Sequence, residues 1–108
     1  MVAAKGITRG LQPLTAEVAA ALPGQLGVYE VVAEGQTVVI AHAGGHEPFG
    51  LRSALTDAAE RWPGATFRYE TTHAYVTRWQ ELLMLHEAEH GRLPVANADD
   101  AHRIGGLT

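Results

Sequence analysis

LGVYEVVA (Leu26–Ala33), Glu34-Gly35-Gln36 and TVVIAHA (Thr37–Ala43) form the stretch whose reading decides the fold. Both outer runs are rich in β-branched and aromatic residues, which fit a pleated, half-buried surface. The three residues between them are turn-formers. Two such runs joined by so short a connection specify a β-hairpin, with the second strand the more buried.

Outward from the hairpin, punctuation by Gly and Pro divides the rest. Gly44 to Pro48 (GGHEP) reads as a loop. Phe49 to Trp62 reads as a helix, because Leu51, Ala54, Leu55, Ala58 and Trp62 fall on one face; Pro63-Gly64 ends it. Ala65 to Thr71 alternates, Phe67 and Tyr69 against Arg68 and Glu70, as a half-buried strand does. A last helix runs from about His73 to His90. Its stripe is Tyr75, Val76, Trp79, Leu82, Leu83, His86 and His90, with Gly91 as the stop and Pro94 preventing resumption. Before the hairpin, Pro13 to Leu22 reads as a short helix with Thr15 as N-cap and Pro23-Gly24 as its end. Residues 1–12 read as a loose lead-in and 98–108 as a polar tail, leaving one domain over 13–97. The order α-β-β-α-β-α predicts an α+β fold: a small three-stranded, mainly antiparallel sheet flanked by helices.

At 108 residues and 46% hydrophobic, the chain can bury a core. A net charge of −4 argues against a general nucleic-acid coat protein, though not against DNA or RNA meeting a local patch. With no cysteine, disulfides and thiol catalysis are excluded. No apolar run approaches the ~20 residues that span a bilayer, and the first residues lack a secretory pattern, so a soluble cytoplasmic protein is expected. A homodimer would be one way for so small a chain to cover apolar helix surface. Gly44-Gly45 is not followed by the Lys-Ser/Thr of a phosphate loop, and Trp62 and Trp79 stand at core spacing.

The segment Glu81–Asn97, ELLMLHEAEHGRLPVAN, carries two chemistries. His86-Glu87-Ala88-Glu89-His90 fits H-E-x-x-H, which on a helix sets two imidazoles to grip zinc with a Glu as general base. A zinc hydrolase would draw its third ligand from Asp99, Asp100 or His102. The plainer alternative is that His86 and His90 finish the stripe at a helix C-terminus, where the dipole favours positive charge.

The second chemistry comes from the element order together with particular residues. Gly27-Val28-Tyr29 opens the first strand, Val39-Ile40-Ala41 lies in the second with His42 after it, and Arg52 opens the next helix. Glu81 stands on the long helix, and Pro94-x-x-Asn97 closes the segment. Over residues 24–97 this resembles the GIY-YIG nuclease superfamily. The second Tyr and Gly of that pattern are replaced by Val39 and Ala41, and Arg78-Trp79 stands where many relatives have Arg-Glu. The resemblance implies metal-dependent phosphodiester hydrolysis on nucleic acid, or a degenerate descendant of it. Glu81 would then hold Mg²⁺ or Mn²⁺, Arg52 would stabilise phosphoryl charge, Tyr29 or His42 would take a proton from water, and Asn97 would orient a neighbouring group. At about 100° per residue, however, Glu81 points roughly 140–200° away from the Trp79/Leu83/His86/His90 stripe. The other implied function is a non-catalytic binding or scaffold module of the same fold.

Overall fold

The hairpin closes through Glu34 (φ 53°) and Gly35 (φ 77°). Two consecutive residues with positive φ make the turn whose twist matches that of the flanking strands. In the computed structural model, which describes residues 5–103, the elements are β1 (Gln12–Pro13), α1 (Ala16–Ala20), β2 (Gly27–Ala33) and β3 (Gln36–Ala43). They continue with α2 (Leu51–Arg61), β4 (Thr66–Thr71), α3 (Tyr75–His90) and a 3-10 segment, Val95–Arg103. The fold is α+β, with an antiparallel four-stranded sheet in the order β1-β4-β2-β3.

The fourth strand is the one departure from the expected sheet. Gln12 and Pro13 pair with Phe67 and Thr66 on the outer edge of β4. Pro13 has no N–H to give a ladder, so an edge is where it is tolerated. Two residues are too few to show a period, which is why this strand reads as the end of a lead-in and the start of a helix. The helix itself starts at Ala16, capped by Thr15, whose Oγ1 accepts the Val18 N–H at 3.2 Å.

Strand alternation divides the molecule into three layers. Tyr29, Val31, Phe67 and Tyr69 face α1 and α2, and pack with Leu51, Ala54, Leu55 and Ala58. Val28 and Ile40 face α3 and pack with Trp79, Leu82 and Leu83. Phe67 is wholly buried, and a ring of that size contributes about 2–3 kcal/mol by leaving water. The stripe read from α3 holds at Trp79, Leu82 and Leu83, whereas Val76 and His90 are exposed. Residue 7, within the expected lead-in, is not loose: Ile7 is buried against the α3 core.

Two details set the register. Val31 pairs with Val39 but Val32 pairs with Thr37, so Val38 is a bulged extra residue. The bulge lets neighbours Val38 and Val39 both pack on the α2 side. Gly27 begins β2 where a Cβ would lie 2.2 Å from the Glu70 carbonyl oxygen and 2.9 Å from Leu51 Cδ1. Only a residue without a side chain lets β4 and α2 approach β2 so closely there.

β3 is an edge strand, and its outer side is closed by a side chain. Asn97, buried, accepts the Ile40 N–H on Oδ1 at 2.8 Å and donates from Nδ2 to the Ile40 carbonyl at 2.9 Å. Trp79 Nε1 donates to the same carbonyl at 2.8 Å. Asn97→Ala is expected to lower stability by about 1–3 kcal/mol, because it strands a buried N–H. A urea titration should show a lower midpoint with unchanged slope, and hydrogen exchange should speed up first at the Ile40 amide.

Candidate functional site

β3 delivers His42 to the α3 side of the sheet, two residues beyond Ile40. The first turns of α3 bring Tyr75 and Trp79, four residues apart and so on one face, against it. The His42 ring lies 5.4 Å from Tyr75 and 5.2 Å from Trp79, edge-on to the indole at 82°. Gly44 leaves room for the Tyr75 ring: a Cβ there would fall 2.6 Å from it and would have to push Tyr75 aside. The following loop turns twice, Glu47 N–H to the Gly44 carbonyl and Gly50 N–H to the Glu47 carbonyl. A hollow of about 690 Å³ opens here, its walls including His42, His46, Glu47, Tyr75, Trp79 and Gln80.

Tyr29 stands on the other face of the sheet, towards α2, half-buried. Burial pushes its phenol up to about 12, and the negative charges of Glu47 and Asp57 push the same way, with Arg61 opposing. A phenol held so firmly protonated is not a ready base near neutral pH. Glu47 therefore connects the two faces, since it lines the hollow and its charge reaches Tyr29.

The other expected residues have their own partners. Arg52 donates from Nε to the Leu22 carbonyl at 2.9 Å and lies 5.6 Å over the Phe49 ring. Glu81 is exposed and meets Arg78 Nη1 at 3.3 Å. Arg78 in turn donates to Glu70 at 2.7 Å and to the Lys5 carbonyl at 2.7 Å. Its guanidinium is held even more firmly protonated by the bond to Glu70. Asn97 serves the Ile40 peptide and also donates to Asp100 Oδ2 at 3.0 Å. Tyr29 and Arg52 thus belong to the α2 side, His42 and Glu81 to the α3 side, and Asn97 to the outer edge of β3. These five do not form one cluster. Glu70 and Glu81 both turn to the Arg78 guanidinium, which a Mg²⁺ or Mn²⁺ ion on these carboxylates would have to displace.

His86 and His90 stack with ring centroids 4.3 Å apart. Among the described residues no group of three or more His, Asp or Glu side chains is placed to hold a metal ion; the side chain of His102, one of the expected third ligands, lies outside the described residues. Among the same residues no helix is long and apolar enough to cross a membrane.

Three members of the hollow carry no site signal of their own in the sequence. Tyr75 and Trp79 at helical spacing read as core, and Glu47 as loop. The available signal was Gly44-Gly45 directly after a strand and opposite a helix carrying two aromatics at i and i+4.

Fold and site together define a small α+β domain with helices on both faces of an antiparallel sheet and a polar-aromatic hollow where the hairpin ends. The chain belongs to the family described as a domain of unknown function, DUF7508, which matches residues 7–89. No curated protein and no solved structure matches it.

The Tyr29 environment has a consequence for stability. Below pH ~10 the phenol is neutral in both folded and unfolded chains; above it the unfolded chain ionises first. Stability is therefore expected to fall as pH rises from about 10 to about 12, by roughly 2–3 kcal/mol in all. Denaturant midpoints across that range should show a slope in the wild type that Tyr29→Phe reduces.

Proposed function

We propose that this chain is a non-catalytic binding domain on a GIY-YIG-like frame, acting in the cytoplasm. The hollow beside His42 takes a planar, nitrogen-rich ring such as an unstacked nucleobase. The observation that carries this reading is the meeting of the His42, Tyr75 and Trp79 rings at an opening of about 690 Å³ with Glu47 and His46 on its walls. That volume lies within the roughly 300–1,000 Å³ usual for small-ligand sites. Flat rings stack on aromatic side chains without regard to sequence, and a carboxylate accepts from exocyclic amino groups.

Phosphodiester hydrolysis has less support from the geometry. Tyr29 keeps its proton, Arg52 is turned to a backbone carbonyl, and Glu81 shares an ion pair. The same commitments limit phosphate binding, because Arg68 pairs with Glu30 and Arg78 with Glu70. The ring, not the phosphate, supplies the affinity in this reading.

The test is a fluorescence titration with free nucleosides and, separately, short single-stranded oligonucleotides. Saturable binding is expected, weakened by Tyr75→Ala by about 1–3 kcal/mol, the usual value of one stacked base. The oligonucleotide should show a shallow salt dependence, since few phosphates are neutralised. Tight oligonucleotide binding with a steep salt slope and no effect of Tyr75→Ala would sink the proposal. Cleavage of labelled DNA or RNA with Mg²⁺ or Mn²⁺, lost in both Glu81→Ala and Arg52→Ala, would replace it with hydrolysis.

A further inference from the structure

His86 and His90 lie four residues apart at the end of α3, so their side chains project from one face. Their rings are 4.3 Å apart and inclined by 33°. His86 Nδ1 lies 2.9 Å from the Arg92 carbonyl oxygen. A carbonyl can only accept, so Nδ1 carries the proton and Nε2 presents its lone pair outward. Metal-ligating histidines are oriented in this way, by a backbone carbonyl or carboxylate on the second ring nitrogen. The Arg92 carbonyl reaches that position because Gly91, left-handed at φ 75°, folds the chain back over the last turn.

Two hollows meet at this pair. One, of about 360 Å³, is walled by the hairpin turn and by Arg92 to Val95. The other, of about 220 Å³, includes Glu30 and Glu89 on its walls. Both share Thr37, His86 and His90, so there is room on either side for water or a further donor.

We propose that His86 and His90 form a two-histidine site for a borderline divalent transition metal, with water in the remaining positions. Zn²⁺, Ni²⁺ and Cu²⁺ suit imidazole ligands, whereas Mg²⁺ and Ca²⁺ require oxygen. Two protein ligands do not make a catalytic zinc centre, and the site is separate from the His42 hollow, so each stands or falls alone.

The untagged 108-residue chain titrated calorimetrically with Zn²⁺, Ni²⁺ and Cu²⁺ tests this directly. One saturable ion per chain is expected, with Cu²⁺ tightest. His90→Ala should weaken it at least about tenfold, while His46→Ala and excess Mg²⁺ leave it unchanged. His90 is exposed, so its replacement should leave the far-ultraviolet circular dichroism intact and isolate the ligand effect. Ring-nitrogen NMR should place the metal on Nε2 of His86. No saturable binding of any of the three ions, or binding indifferent to His90→Ala, would overturn the proposal.

Discussion

The backbone of one residue, Ile40, fastens the architecture. The Ile40 N–H and carbonyl point away from β2 on an open sheet edge, where unpaired backbone groups invite another strand. The Asn97 amide supplies one donor and one acceptor, the pair a neighbouring strand would offer, from a residue 57 positions away. Trp79 adds its indole N–H to the same carbonyl, so β3, α3 and the 3-10 segment are fastened at a single point. Burying these groups unpaired would be costly, and burying them paired makes the fit specific. The hollow depends on this fastening, because His42 follows Ile40 by two residues on the same face and sits edge-on to the indole that the Ile40 carbonyl anchors.

The sheet acts as a divider as well as a core. Val28 pairs with His42 and Tyr29 with Ala41, so Tyr29 and His42 stand in adjacent registers and point to opposite faces. A strand's side-chain period of two leaves no freedom in this. The bulge at Val38 precedes His42 on β3 and lies beyond Tyr29 on β2, so it leaves their separation intact. Any chemistry shared by these two residues must pass around the end of the hairpin, where Glu47 lies. That is why the loop after β3, rather than the strands, collects the groups of the candidate site.

How much of this is legible in the sequence follows from how far each signal reaches. The hairpin, α2 and the Gly91 stop are local: turn residues, a 3.6-residue stripe and a left-handed cap are written within a few positions. β1 is too short to carry a period, and its pairing with β4 spans more than fifty residues. Pro94-x-x-Asn97 is visible as a motif, but its partner at Ile40 is not, because a side-chain amide does not encode which peptide it will meet. The stripe on α3 suggests that His90 faces the core, and the helix instead ends before the sheet can cover it. Glu81 lies off the apolar stripe, as the wheel angle indicates, and is exposed. Arg78, its partner three residues earlier, also reaches Glu70 on β4, a contact between elements that periodicity cannot specify.

The distribution of charge bears on what can approach the hollow. Glu30 with Arg68, and Glu70 and Glu81 with Arg78, lie on the α3 side of the sheet and cancel much of each other's field. Apart from the exposed Glu81 these groups are half-buried, and the pairs occupy guanidinium groups that could otherwise meet a ligand. Arg9 and Arg61 lie over the Tyr69 and Trp62 rings, and Arg52 over Phe49. A chain of net charge −4 with these five arginines so placed offers a polyanion little long-range attraction. Under the proposed binding function, a ligand at the His42 hollow would then be held by contact, through stacking and through hydrogen bonds at short range. Such a site would discriminate by the shape and edge of a ring rather than by its charge, which would favour a compact planar ligand over an extended phosphate backbone.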